Sequence, residues 1–432
     1  MTKIKGLPHL ISTVALTIYI QVFTTDVFAA QSVLTLTQAR TSAMADNPGL
    51  AQMQARYEAL THIAPQKRSL PDPVLSLNAM NLPWNSFDRN QEPMTQMQVG
   101  ISQMFPFPGK LGLREDIAEL MAEAAFHSVE EMRLHLDMNV AMTWWEIYFL
   151  DRSLDTVLQN QSLLRQFVKV AQKKYEVGKG LQQDVLLAQL ELSKLLDQEI
   201  QLQAMRRNQE IQLNVLMNVS PNAPVQLPSL TSHSEVTLAP ESRLHQQAMS
   251  VRPVLNEKLT VVEASDSQLK LARKDFYPDF KLGAAYGNRD DDQLGRGRDD
   301  FFSVMFSVSL PLYAGTKQSE AVKQRSGELV KNRYALLDER NRVLADVSRS
   351  VTDFNRASQQ VILFGSGIVP QARQTTESML AGYQVDEVDF LNLVRSQITL
   401  FNYELHYWKA VTDVEKSKAK LIAAVGEENI YE

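Results

Sequence analysis

From Leu111 to Lys174 the chain contains no proline and a single glycine, Gly112. A helix of about 65 residues, rising ~1.5 Å per residue, is a rod of roughly 100 Å. No ordinary globular domain has a core that long, and an uncapped helical pattern far beyond ~25 residues points to coiled-coil packing. The segment feeding the rod is as restrictive. In Met97–Lys110, Met97, Val99, Ile101 and Phe105 point one way, while Gln96, Gln98, Gly100 and Ser102 point the other. A strand with one apolar face and one Gln/Gly/Ser face suits a boundary between lipid and water. Pro106 and Pro108 end it, because proline cannot donate to a strand ladder, and Gly109 turns the chain into the rod.

The same design recurs two hundred residues later. Phe302, Val304, Phe306, Val308 and Leu310 alternate with Ser303, Met305, Ser307 and Ser309; Pro311 stops the strand, and Gly315 opens a second rod from about Thr316 to Gly382. Arg252-Pro253-Val254-Leu255 answers Asn47-Pro48-Gly49-Leu50, Tyr277-Pro278-Asp279-Phe280 answers Leu70-Pro71-Asp72-Pro73, and Tyr383-Gln384-Val385 answers Tyr175-Glu176-Val177. The chain is a duplication. Each half supplies two strands, Val74–Leu82 and the Met97 strand in the first, Phe280–Gly287 and the Phe302 strand in the second. Each half also supplies a helical hairpin, turning at Gly178–Gly180 and at Asp386–Asp389. The expected organisation is a signal peptide over residues 1–29, a first repeat over 30–220, a linker over 221–240 and a second repeat over 241–432. The signal rests on Lys3 and Lys5 ahead of the apolar run Leu10–Phe23 and on a small-residue cleavage site at Val27-Phe28-Ala29.

Composition excludes several function classes. The net charge of −6 offers no basic stripe for nucleic acid, and the absence of cysteine excludes disulfides, thiolate metal sites and a cysteine nucleophile. The 16 methionines and seven histidines do not gather: Met97 and Met104 belong to a strand, and His127 and His135 stand too far apart on a helix to share an ion. No nucleophile–base or ligand cluster appears, so the reading is no enzyme, no cofactor and no metal site. No other segment approaches an apolar twenty-mer, so a membrane span must be made of strands.

Four strands cannot close a barrel, and an open edge in lipid leaves backbone groups unpaired at several kcal/mol each. Two chains give eight strands, whose interior is filled by side chains, whereas three give twelve, wide enough for water. The expected fold is therefore an α+β membrane protein, a homotrimer with a 12-stranded β-barrel standing on a 12-helix α-barrel that crosses the periplasm. Val99, Ile101, Val304, Phe306 and Val308 are the expected lipid-facing residues, in contact with outer-membrane lipid.

Three stretches carry a family resemblance: Pro71-Asp72-Pro73 with Asn81-Leu82-Pro83-Trp84, Gln103-Met104-Phe105-Pro106-Phe107-Pro108-Gly109-Lys110, and Tyr175 through Gly178-Lys179-Gly180 to Asp184-Val185-Leu186. With the duplication, they make the chain similar to TolC-type outer-membrane efflux proteins, and the Pro-Phe-Pro-Gly-Lys form resembles the heavy-metal branch of the CusC and CzcC kind. The resemblance implies the exit duct of a tripartite efflux pump, with a periplasmic adaptor protein and an inner-membrane resistance-nodulation-division (RND) pump as partners and heavy-metal cations as one cargo class. A type I secretion conduit and a structural coiled-coil envelope protein are the alternatives, the second opposed by the strand alternation. The resemblance also implies that both hairpin tips form the closed periplasmic entrance, with Asp184 and Tyr383 at positions that link neighbouring hairpins. Asp386 stands where family members often carry glycine, and Asn392 and Arg395 stand where they often carry acids. Asp386, Glu387 and Asp389 place three acids on the turn itself, an expected cation-attracting ring under threefold symmetry.

Overall fold

The computed structural model describes residues 33–229 and 236–431. The expected signal segment lies outside the described residues, as does part of the expected linker. The first half runs α1 (Leu36–Asp46), α2 (Pro48–Thr61), α3 (Ile63–Arg68), β1 (Val74–Met80), β2 (Gln96–Phe105), α4 (Lys110–Glu176) and α5 (Gln182–Leu216). The second half runs α6 (Glu241–Val251), α7 (Pro253–Lys274), β3 (Phe280–Asn288), β4 (Phe301–Val308), α8 (Gln318–Ile362), a π-helical turn (Leu363–Ile368), α9 (Val369–Gln384) and α10 (Phe390–Val425). Among the described residues no helix is long and apolar enough to cross a membrane.

Both expected breaks before proline are present, and their chemistry differs. Asn47 caps α2 by accepting from the Leu50 amide at 3.1 Å, and its own amide donates to the Leu216 carbonyl at 2.9 Å. One side chain thus starts α2 and tethers the end of α5. At the matching break, the Arg252 guanidinium donates to Glu131 of α4 at 2.6 Å, and Glu131 also accepts from the Val254 amide at 3.2 Å.

Helices this long cannot share one core. Apolar side chains gather instead in successive clusters along the rods. One surrounds Trp144 and Tyr148, which are 1% and 3% exposed, between α4, α1, α2 and α5. Trp144 donates its indole N–H to the Leu34 carbonyl at 3.0 Å, so these aromatics are packing residues. A second cluster joins α4 and α5 to α9 and α10 through Phe167, Ala188, Tyr383, Phe390 and Leu393, and a third joins α6, α7, α8 and α10. The second rod departs from the uninterrupted helix that its pattern predicts. Pro370 lacks the N–H that an α-helix needs, and the π turn just ahead of it absorbs the mismatch. There Gly365 lets α10 close in, since a Cβ would stand 3.0 Å from the Tyr407 ring.

The four strands form one antiparallel sheet in the order β1-β2-β3-β4, so the two halves meet at its centre, and β1 and β4 each leave one edge unpaired within the chain. β4 ends at Val308, two residues short of the alternating pattern. At the base of the sheet the motif after β2 docks on the motif before β3. Lys110 is 3% exposed, and its ammonium lies 2.9 Å from Asp279, 3.3 Å from Asp275 and 3.1 Å from the Tyr277 carbonyl. Asp279 also accepts from the Phe107 amide at 2.8 Å, and the Phe107 ring stacks on Tyr277 with centroids 4.5 Å apart. Gly109, at φ +85°, makes the corner that only glycine takes without strain. Burial alone would raise the Asp279 pKa, but the Lys110 hydrogen bond, the Phe107 amide and the Lys110 charge hold it below the ordinary carboxylate range.

Replacing Lys110 with Met leaves this carboxylate without its cation and is expected to cost about 2–3 kcal/mol in thermal or denaturant unfolding. Because the folded pKa of Asp279 is depressed, its contribution is present above the unfolded value of ~3.9 and fades as pH falls through the folded one. The Lys110→Met chain should therefore show a shallower loss of stability on acidification.

Candidate functional site

Cross-strand register sorts the sheet residues into two faces. One rung aligns Leu77, Val99, Tyr286 and Phe302, and another aligns Leu75, Ile101, Ala284 and Val304. These side chains stand open: Leu77 and Val304 are each 75% exposed in the isolated chain. The alternate rung aligns Ser76, Gly100, Ala285 and Ser303, all small. A Cβ on Gly100 would meet the Ser76 hydroxyl at 2.9 Å, so the polar face stays low at that point. Val99, Ile101, Val304, Phe306 and Val308 thus share one apolar face. Gln103, opposite Leu282, falls on that face too and had no place in the alternating pattern. Its amide is satisfied at the base of the sheet by the Pro71 and Met104 carbonyls, at 2.6 and 2.9 Å.

At the other end of the strands the two loops are knitted together. Arg89 pairs with Asp290 at 2.8 Å, Arg298 donates to the Glu92 carbonyl at 3.0 Å, and Arg289 donates to the Pro93 carbonyl at 3.2 Å. The acidic run Asp290–Asp292 is therefore part of a loop–loop joint. Asp292 closes it locally by accepting from the Arg296 amide at 2.8 Å.

At the far end of the rods the structure brings both hairpin turns together. Gly178 and Asp386 occupy equivalent places in the two turns, both left-handed, at φ +71° and +66°. Glycine takes that conformation freely; for an aspartate it costs roughly 1–2 kcal/mol. Lys174, in the last turn of α4, holds the strained residue. Its ammonium donates to the Asp386 carboxylate and to the Tyr383 carbonyl, and lies 4.3 Å from the centre of the Tyr383 ring. Lys174 was missed in the sequence. The only signal was a basic residue at a helix C-terminus, and nothing in spacing joins it to a turn two hundred residues away.

The expected acidic turn is thus mostly engaged. Asp386 is paired, its carboxyl held below the usual range by the Lys174 hydrogen bond. Asp389 caps α10, accepting from the Asn392 amide and side chain at 2.8 Å each, which also accounts for Asn392. Glu387 alone of the three has no side-chain hydrogen bond or ion pair among the described residues. Tyr383 is 5% exposed, packed on Phe390 with ring centroids 5.2 Å apart, and its hydroxyl is buried with no hydrogen-bond partner. Burial, then the charges of Asp184 and Asp386, push its pKa up to about 12, so it remains a neutral donor at physiological pH. Asp184, in the first turn of α5, is raised by burial and by the charge of Asp389. The structure places Asp184 and Tyr383 in electrostatic range of each other with no hydrogen bond between them inside one chain.

A rod-borne tip, a two-faced sheet and a duplicated strand–helix plan set this chain apart from a single-core globular domain. The chain belongs to the outer membrane efflux protein family, whose model matches residues 39–219 and 244–427. It is 23% identical over 278 residues to the alkaline protease secretion protein AprF of Pseudomonas aeruginosa, a match that covers 62% of this chain and 54%, about half, of that protein. In fold it is similar to VceC from Vibrio cholerae, with a TM-score of 0.76 at 18% identity over 91% of this chain and 96% of that one. It is also similar to CusC, with a TM-score of 0.75 at 13% identity over 91% and 92%.

Replacing Lys174 with Met should loosen the second turn, seen as faster amide hydrogen exchange across residues 383–389. Replacing Asp386 with Gly should leave that exchange near the wild-type rate, because glycine fits the left-handed position and Lys174 still binds the Tyr383 carbonyl. Equal acceleration in both variants would mean that the carboxylate, not the carbonyl, anchors the turn.

Proposed function

We propose that the protein is the exit duct of a tripartite efflux system, a homotrimer that closes a 12-stranded barrel in the outer membrane and continues as a 12-helix cylinder through the periplasm. The observation that carries this reading is the sheet: four strands with a mainly apolar face, a second face rich in Ser, Gly, Asn and Gln, and an unpaired edge at each side. Family membership supports an outer-membrane channel that extends into the periplasm. The duct is passive; energy and cargo selection enter through an inner-membrane RND pump and a periplasmic adaptor that grips the helical tips. The two segments matched by the family model support a first repeat over 30–220 and a second over 241–432, with a linker between. Heavy-metal cations as cargo rest on the Pro106-Phe107-Pro108-Gly109-Lys110 resemblance, and Glu387 is the tip carboxylate free to attract them. Likeness to AprF, a secretion protein, favours a second reading, a conduit for secreted polypeptide. Deleting the gene and scoring metal and antibiotic sensitivity against loss of a secreted protein separates the two.

The wall is tested by two arginines one residue apart. Phe306→Arg puts a charge on the lipid face and should cost on the order of 2–4 kcal/mol near mid-membrane and impair assembly. Ser307→Arg should assemble normally and alter single-channel conductance. Equal damage from both would sink the assigned faces.

For the gate, the buried Tyr383 hydroxyl and the carboxylate of Asp184 at the neighbouring hairpin are the pair that closes the entrance. A hydrogen bond to a charged group contributes ~1.5–3 kcal/mol, enough to bias three copies toward closed without locking them. Asp184→Ala combined with Tyr383→Phe should raise conductance in planar bilayers and sensitise cells to antibiotics. Unchanged conductance in confirmed trimers would assign closure to other residues.

A further inference from the structure

The joint between the two halves is a template for the joint between chains. Inside the chain, the motif after β2 docks on the motif before β3: Lys110 on Asp279, and Phe107 on Tyr277. The duplication supplies a second set of these parts and leaves it undocked. Asp72, before β1, corresponds to Asp279; Leu70 corresponds to Tyr277. After β4, Leu312 corresponds to Phe107; the place of Lys110 falls on Gly315, and the first lysine after β4 is Lys317, two residues further on at the cap of α8.

Apart from the lysine, the correspondence is fixed by hydrogen bonding rather than by similarity alone. Aligning Asp72 with Asp279 puts Val74 on Lys281; their partners across the hairpins are Ser102 and Ser307. Carried along the strand, that match puts Pro106 on Pro311, the two residues that end β2 and β4. The undocked parts are exposed: Leu312 by 80% and Leu70 by 46%. Neither Lys317 nor Asp72 has an ion pair among the described residues. Lys317 lines the groove that also holds Lys110, Asp275 and Asp279, but the Lys110 ammonium already occupies both of those carboxylates.

We propose that the β4 edge of one chain pairs with the β1 edge of a second copy in the register that β2 and β3 already use, with Lys317 bound to Asp72 of the second copy and Leu312 packed on its Leu70. This rests on the multimeric duct reading and adds to it a defined register and an ion pair at each seam. Transferring the β2–β3 register sets Val308 opposite Leu75, Phe306 opposite Leu77 and Val304 opposite Ala79. The apolar face of β4 then continues onto the apolar face of β1 and Ser307 meets Ser76, whereas a slip of one residue would set the apolar face of one chain against the other face of its neighbour.

The chain has no cysteine, so paired cysteines read the register directly. Residues directly opposite in an antiparallel pair have Cα atoms ~4.5–5.5 Å apart, within disulfide reach; a partner two positions away lies at ~7–8 Å, beyond it. In full-length protein extracted from membranes, Ser76→Cys with Ser307→Cys should form inter-chain disulfides, and Asn78→Cys with Ser307→Cys should not. Lys317→Asp and Asp72→Lys should each lower the temperature at which the oligomer dissociates in detergent, and the double reversal should restore it. Trimers of correct mass that cross-link through residue 78, or through neither, overturn the register and leave the duct reading standing; failure of the double reversal to restore stability overturns the ion pair. A protein that conducts as a monomer overturns both the duct reading and this seam.

Discussion

The unpaired strand edge is the constraint on which the rest of this molecule depends. A four-stranded sheet with one apolar face satisfies the hydrophobic effect in lipid but leaves two rows of backbone donors and acceptors open. In hydrocarbon each open group costs several kcal/mol, and the proposed barrel removes that cost by setting these edges against other edges. A strand pair at each end of a duplication meets this economically. The halves are already paired at the centre of the sheet, and the remaining edges are the same two surfaces that another copy presents.

In the proposed barrel the sheet needs a rigid attachment to the helices beneath it, and the Lys110 joint provides one. Its ammonium is buried among two carboxylates and a carbonyl, and Phe107 and Tyr277 of the same two motifs stack on each other. The strand therefore passes into the rod through a fixed corner instead of a loose linker. Below that corner no side chain reaches across the length of α4, and stability is distributed among local clusters. Such a body can flex at one end while the other holds. The π turn beside Pro370 and the breaks at Asn47 and Arg252 are the places where the helical ladder is already interrupted.

At the tip the chemistry shifts from apolar packing to charge. Lys174 collects the Asp386 carboxylate, the Tyr383 carbonyl and the Tyr383 ring, and so ties the first hairpin to the second. That arrangement leaves the Tyr383 hydroxyl buried and unpartnered beside the charge of Asp184. A buried donor without an acceptor favours any rearrangement that supplies one, and this is the physical basis of the proposed gate.

Local periodicity was enough to determine the strands, the first rod, the proline-marked breaks and the two faces of the sheet. Alternation of period two and helical repeats are properties of the chain read a few residues at a time, so Val99, Ile101, Val304, Phe306 and Val308 could be assigned to one face without coordinates. Tertiary structure decided what depends on residues far apart in sequence. Lys110 finds Asp279, Lys174 finds Asp386, and Arg298 finds the Glu92 carbonyl only because the duplication folds one half against the other. The left-handed turn at Asp386 and the interrupted second rod were likewise hidden. A non-glycine residue held at positive φ and a π turn absorbing a proline depend on packing partners that no local pattern encodes.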